Sequence, residues 1–315
     1  MFINSKGLQI IGCGLSVPKK VVSNSKLYPN TSNWVSEKLG IDSRHYIESE
    51  KSLVDYCIDA SRDALKIAGI DSNEIDGIIV ATSTADYINP SMAAIIHGAI
   101  RAKEKCAAFD IQAVCAGFVY ALGIAASLGA SGAGKYFLVI GADQFSKITD
   151  FESRDCVFFG DAAAAVVVEI TNKDSMFALE LFSDGSKWED FHTLAPAGKF
   201  SMNSKAVSSM ASQKIPEAVL AICEKTGIDV KKISYFFTHQ PSKAVLDSVE
   251  KRLDISEGKL FRNLQHRGNT ASASIPSVFF DSNMFSKISD GEIICFAAIG
   301  AGWVWGVALL EWRRA

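Results

Sequence analysis

The sequence predicts a layered α/β fold built from two related halves, and three observations support this. Short β-branched or aromatic runs alternate with longer helical segments along the chain. The order of those segments in the first half recurs in the second. With 315 residues, 48% apolar and 21% charged, the chain can bury a large core.

Taken in order, Gly12-Cys13-Gly14-Leu15-Ser16 reads as a turn after a first strand. It lacks the third glycine and the acidic follow-up of a dinucleotide loop. The pattern over 53–68 predicts a helix, the apolar run 77–80 a strand, and 90–102 a second helix entered through Pro90. An all-apolar helix over 116–128 follows a strand-like run directly, and 136–140 and 164–168 predict two buried strands. The second half repeats this sequence of events. A helix is predicted from Pro216 to 226, a strand over 235–237, helices over 243–253 and 274–285, and strands over 292–296 and 304–310. The halves meet in a short polar stretch, which places them at 1–171 and 172–315 with no flexible linker between.

A formal charge of −3 with scattered Lys and Arg leaves no basic field for nucleic acid. No apolar run approaches the ~18 residues of a membrane span, and the first residues lack a secretory pattern, so a cytoplasmic protein with no membrane contact is expected. Seven cysteines, irregularly spaced and without a Cys-x-x-Cys pair, indicate neither a disulfide frame nor a metal site.

One cysteine stands apart. Cys115 lies where the strand-like run 108–114 passes straight into the apolar helix, and the free N–H groups and positive end of a helix favour a thiolate there. His239, in Phe237-Thr238-His239-Gln240-Pro241, and Asn269, in Arg267-Gly268-Asn269-Thr270, sit at comparable strand-to-loop corners of the other half. Packing the halves about a pseudo-twofold would bring the three together as an acyl-transfer site. His266 is a rival imidazole, expected to orient the Asn269 loop. Asp161, in Phe159-Gly160-Asp161, is expected to serve the frame, and Trp303 and Trp305 to pack in the core or at a dimer contact.

These motifs carry a resemblance. Ala116-Gly117-Phe118, Phe159-Gly160-Asp161-Ala162-Ala163, His239-Gln240, Gly268-Asn269-Thr270-Ala271-Ser272 and Gly300-Ala301-Gly302-Trp303 resemble, in that order, the β-ketoacyl-acyl carrier protein synthase III family of thiolase-like condensing enzymes. The resemblance runs over nearly the whole chain. It implies a five-layered α-β-α-β-α thiolase-like fold, a homodimer and no cofactor, with acyl-CoA or acyl carrier protein phosphopantetheine thioesters as substrates. Cys115 would carry the acyl group, and His239 and Asn269 would stabilise the enolate left when a malonyl thioester loses carbon dioxide. The backbone N–H groups of Cys115 and Ala301 would form the oxyanion hole. Trp34 and Arg154 would hold the CoA adenine.

Departures from the family pattern fall on substrate recognition. Pro241-Ser242 replaces Ala-Asn after His239-Gln240, Asp42 stands where an arginine commonly meets CoA phosphate, and Asn89 precedes Pro90 where a Phe often closes the neighbouring subunit's acyl pocket. Specialised acyl or polyketide metabolism is therefore expected alongside primary fatty-acid initiation. Two alternatives remain: acyl transfer from Cys115 to an alcohol or amine, and a non-catalytic partner subunit.

Overall fold

The computed structural model describes residues 1–27, 32–172, 174–195 and 198–314. Its strands are β1 (Phe2–Lys6), β2 (Leu8–Ser16), β3 (Lys20–Ser23), β4 (Ser43–Tyr46), β5 (Gly77–Ala81), β6 (Ala107–Ile111), β7 (Tyr136–Asp143) and β8 (Ala162–Ile170) in the first half. They continue as β9 (Met176–Ser183), β10 (Phe191–Thr193), β11 (Phe200–Met202), β12 (Ile233–Thr238), β13 (Ile293–Gly300) and β14 (Val304–Glu311). One five-stranded sheet runs β2-β8-β7-β5-β6, the other β1-β9-β14-β13-β12.

The two sheets share a pairing scheme. In the first, β2 is antiparallel to β8, β8 antiparallel to β7, and β7 parallel to β5, which is parallel to β6. In the second, β9 is antiparallel to β14, β14 antiparallel to β13, and β13 parallel to β12. A parallel bridge from Phe236 to Leu260 stands where the first sheet has β6. β1 crosses over and pairs with β9, so the opening residues belong to the second sheet.

Because successive strand residues face opposite sides, each sheet has two apolar faces to cover. Inward residues of both sheets, such as Ile79, Val139, Phe237 and Phe296, pack on the helices Gly117–Ala130 and Ser274–Asp281 between them. Outward residues Ile78, Val80 and Leu138 pack on helices Leu53–Ala68 and Met92–Ile100. On the far side, Phe236, Cys295 and Ala297 pack on helices Ser204–Thr226 and Lys243–Leu253. The result is five layers, α-β-α-β-α, with the helix that follows Cys115 in the middle one.

Two local expectations change. The helix expected to start at Pro216 runs from Ser204 through it, entered by Asn203, whose side chain accepts from the Ala206 N–H. Proline removes the bond that Ser212 C=O would accept, and Arg252 Nη1 donates to that carbonyl instead, at 3.2 Å. The Gly12-Cys13-Gly14 run is the interior of β2, not a turn. A Cβ at Gly12 would lie 2.2 Å from Ala64 C=O, so these glycines let the helix Leu53–Ala68 seat on the sheet.

Asp161 is part of this frame. Its buried carboxylate accepts from Ile47 N–H and from Ser146 N–H and Oγ–H, joining two loops. Burial still outweighs those donors and pushes its pKa up to about 6. The folded state therefore keeps a proton that the unfolded chain releases near pH 4, and stability falls as pH rises between about 4 and 6. The contribution is about 3 kcal/mol. Urea unfolding of Asp161→Asn should lack that component, so its stability difference from wild type should change between pH 4 and 6.5; a constant difference would contradict it.

Candidate active site

Cys115 sits in a single 3₁₀ turn, Val114–Ala116, between β6 and the central helix. Val114 has φ 44°, a left-handed conformation that a β-branched residue adopts only when its surroundings impose it. Cys115 is only 8% exposed and lines a cavity. Behind it, Gly300 packs so closely that a Cβ would lie 2.8 Å from Cys115 N and 2.9 Å from Ala113 C=O. The β13–β14 turn, including Ala301, is thereby pressed against the Cys115 backbone.

His239 follows β12 directly and is buried; its N–H donates to Ala297 C=O at 2.8 Å. Its ring Nδ1 lies 2.8 Å from Ser274 Oγ, which leaves Nε2 as the nitrogen to face the cavity. The Asn269 loop is clamped through its backbone, with Asn269 N–H to Phe158 C=O at 2.9 Å and Gly160 N–H to Asn269 C=O at 3.0 Å. Asn269 Oδ1 accepts from Ala271 N–H at 2.9 Å, so its Nδ2 donor is turned the other way. Cys115, His239 and Asn269, from three different connections, line one cavity of about 60 Å³ together with Gly300, Ala301 and Trp303. A neighbouring cavity of about 480 Å³ shares Val114, Phe191 and Ala301 with it.

The electrostatics differ from the expectation of a resting thiolate. Burial pushes the Cys115 thiol well up, and the charge of Asp143 adds to it, outweighing the backbone hydrogen bond that acts the other way. Burial likewise pushes His239 down to about 3. At neutral pH the pair rests as thiol and neutral imidazole.

Sequence reasoning missed Asp143, at the end of β7. Its buried carboxylate accepts from Ser83 N–H, Thr84 Oγ–H, Ser272 N–H and Ser272 Oγ–H at 2.6–3.0 Å. It ties the end of β5 to the loop carrying Asn269. The available signal was an acid closing the otherwise apolar run from Tyr136 to Ala142.

Other expected site residues fall at varying distances. The Arg154 guanidinium stacks 3.9 Å over the Trp34 ring, so the two are together but already in contact with each other. Asn89 is exposed and lines neither cavity. His266 is exposed too, and backbone bonds from Phe158 and Gly160 hold the Asn269 loop in its stead. Trp305 stacks on Phe182 as expected of packing, whereas Trp303 reaches the cavity wall. Asp42 is bonded to Gln265, beside Lys243 and Arg262, which pair with Asp247 and Glu250. Among the described residues, no cluster of three or more His, Cys, Asp or Glu could hold a metal ion.

Known proteins resemble this chain over nearly its whole length. The family model for 3-oxoacyl-[acyl-carrier-protein] synthase III matches residues 109–185, and that for its C-terminal region matches 223–312. A β-ketoacyl-[acyl-carrier-protein] synthase III of Ehrlichia canis is 36% identical over 314 residues, covering 96% of this chain and 98% of its own. The crystal structure of 3-oxoacyl-[acyl-carrier-protein] synthase III from Aquifex aeolicus superposes with a TM-score of 0.93 at 34% identity, covering 97% of this chain and 100% of its own. The priming β-ketosynthase of the R1128 polyketide pathway superposes at 0.91 with 27% identity, covering 98% of each chain. With this site held in a duplicated five-layer frame, the chain belongs to the β-ketoacyl-acyl carrier protein synthase III family of thiolase-like condensing enzymes.

Proposed function

We propose that the chain joins an acyl group to a malonyl-type unit by decarboxylative Claisen condensation, with Cys115 as the acyl carrier. The observation that carries this reading is the shared cavity of Cys115, His239 and Asn269, in which the Asn269 amide has its donor free for an oxyanion. Acyl-CoA or an acyl carrier protein thioester would load Cys115, releasing the donor thiol. A malonyl thioester would then lose carbon dioxide, its enolate oxygen bound by Asn269 Nδ2–H and the His239 ring, and the enolate carbon would attack the acyl-Cys115 carbonyl. The backbone N–H groups of Cys115 and Ala301 would hold the tetrahedral oxyanion, consistent with the tight seat of Gly300.

The test is to weigh the intact chain after incubation with acyl-CoA and acyl-carrier donors, then add a malonyl thioester. Acylation followed by carbon dioxide release and a product two carbons longer is the expected result. An ester or amide without carbon dioxide would favour transfer to an alcohol or amine, and no acylation by any donor would favour a non-catalytic subunit. The substitution of Pro241 and the likeness to a polyketide priming enzyme support a specialised pathway.

Trp34 and Arg154 would part to admit the CoA adenine between them. Trp34→Ala should then raise KM for CoA donors about tenfold, a loss in the range of one cation–π contact, with kcat little changed. An unchanged KM would remove the pair from CoA binding.

β6 is an edge strand, and pairing across it with a second copy would give the homodimer. Asn89, beside exposed Tyr87 and Ile88, would then approach the neighbour's acyl pocket. A solution mass of 34.0 kDa, that of one chain, would exclude this assembly. No described helix is long and apolar enough to cross a membrane, and a cytoplasmic location is proposed.

A further inference from the structure

The Asn269 amide is held by a single bond within its own loop, from Ala271 N–H to Oδ1 at 2.9 Å. Ala271 has φ 48°, a left-handed conformation that an alanine keeps only when its surroundings impose it. What imposes it lies at the next residue. Ser272 gives its N–H to Asp143 Oδ2 at 3.0 Å and sets its Oγ 2.6 Å from the same oxygen. Gly141, two residues before Asp143 on β7, lies so close that a Cβ there would be 2.3 Å from Ser272 C=O. The loop after Asn269 is thus seated on β7 by strand backbone and carboxylate together.

The other oxygen of Asp143 faces the opposite way. Oδ1 accepts from Ser83 N–H at 2.8 Å and from Ser83 Oγ–H and Thr84 Oγ–H at 2.9 Å, so the carboxylate is gripped from both sides. β5 and β7 already pair through their backbones from Ala81 and Gly141 back to Gly77 and Phe137, so they need no buried acid to join them. An acid with no exposed surface is costly, and its charge opposes the Cys115 thiolate, so acylation of Cys115 gains nothing from it. What Asp143 adds is the hold on Ser272. From there a line of bonds runs through Ala271 N–H to Asn269 Oδ1, and the orientation of Oδ1 sets that of the Nδ2 donor.

We propose that Asp143 is a positioning residue that aims the Asn269 amide for the second half-reaction, in which the malonyl unit loses carbon dioxide and its enolate is held. This rests on the condensing reading above. Asp143 lines neither cavity and acts only through Ser272 and Ala271. The two half-reactions should therefore answer differently to its loss. Acylation uses the sulfur and should be spared, whereas condensation uses the Asn269 donor and should suffer.

The test times the halves separately by intact mass. Asp143→Ala should take an acyl group from acyl-CoA no more than threefold slower than wild type. The acylated variant should then lose that group to a malonyl thioester about 10- to 100-fold more slowly, part of the cost of losing an oxyanion donor. Ser272→Ala, which keeps the Ser272 N–H bond and adds no bulk, should show the same split with a smaller loss, and it carries the test where Asp143→Ala does not fold. Equal slowing of both halves would mark Asp143 as frame alone, and condensation at the wild-type rate would show that Asn269 needs no such hold; either result overturns the proposal. A wild-type chain that no donor acylates would instead sink the condensing reading, before either variant is compared.

Discussion

Cys115→Ala is expected to abolish acyl-enzyme formation, leaving the intact mass unchanged with every donor that modifies the wild type, and to remove condensing activity to below about one part in a thousand. The effect should be chemical rather than structural. The side chain is small and its turn is set by Val114 and the Gly300 contact, so unfolding should differ from wild type by less than about 1.5 kcal/mol. Retained acylation would place the acyl group on one of the other six cysteines and end the present reading of the site.

The second large effect is expected from a single methyl group. Gly300→Ala puts a Cβ 2.8 Å from the Cys115 nitrogen and 2.9 Å from Ala113 C=O, both backbone atoms, so either the nucleophile turn or the Ala301 turn must shift. If these turns supply the two oxyanion donors, misplacing one should lower kcat by about 10²- to 10³-fold, the usual cost of losing such a donor. KM for the acyl donor should change little, because Gly300 packs on the Cys115 backbone and the added methyl meets backbone atoms rather than the donor. Steady-state kinetics beside a circular dichroism spectrum would check this. A kcat within threefold of wild type would separate the oxyanion hole from this turn.

Much of the site was legible in the chain because its signals are local. Cys115 stands at a strand-to-helix junction, and His239 and Asn269 stand at strand-to-loop junctions in segments that echo one another. Asp161 read correctly as frame. What misled was also physical. Pro216 looks like a helix start until Arg252, 40 residues from Ser212, is seen to cover the exposed carbonyl. Gly12 and Gly14 look like a turn until the helix Leu53–Ala68 is seen to press on them. Helix-end electrostatics suggested a thiolate at Cys115, and the burial that reverses this is a property of the packed molecule.

The sequence by itself determined the two-half α/β plan and singled out the three residues that line one cavity, since alternation, internal repetition and junction residues are written in consecutive positions. Only the tertiary structure decided the burial of Cys115, the web around Asp143 and the contact of the His239 ring with Ser274. Those depend on desolvation and on partners far along the chain, Ser272 lying 129 residues from Asp143 and Ser274 lying 35 from His239. No spacing rule encodes such meetings, because the packing of layers alone creates them.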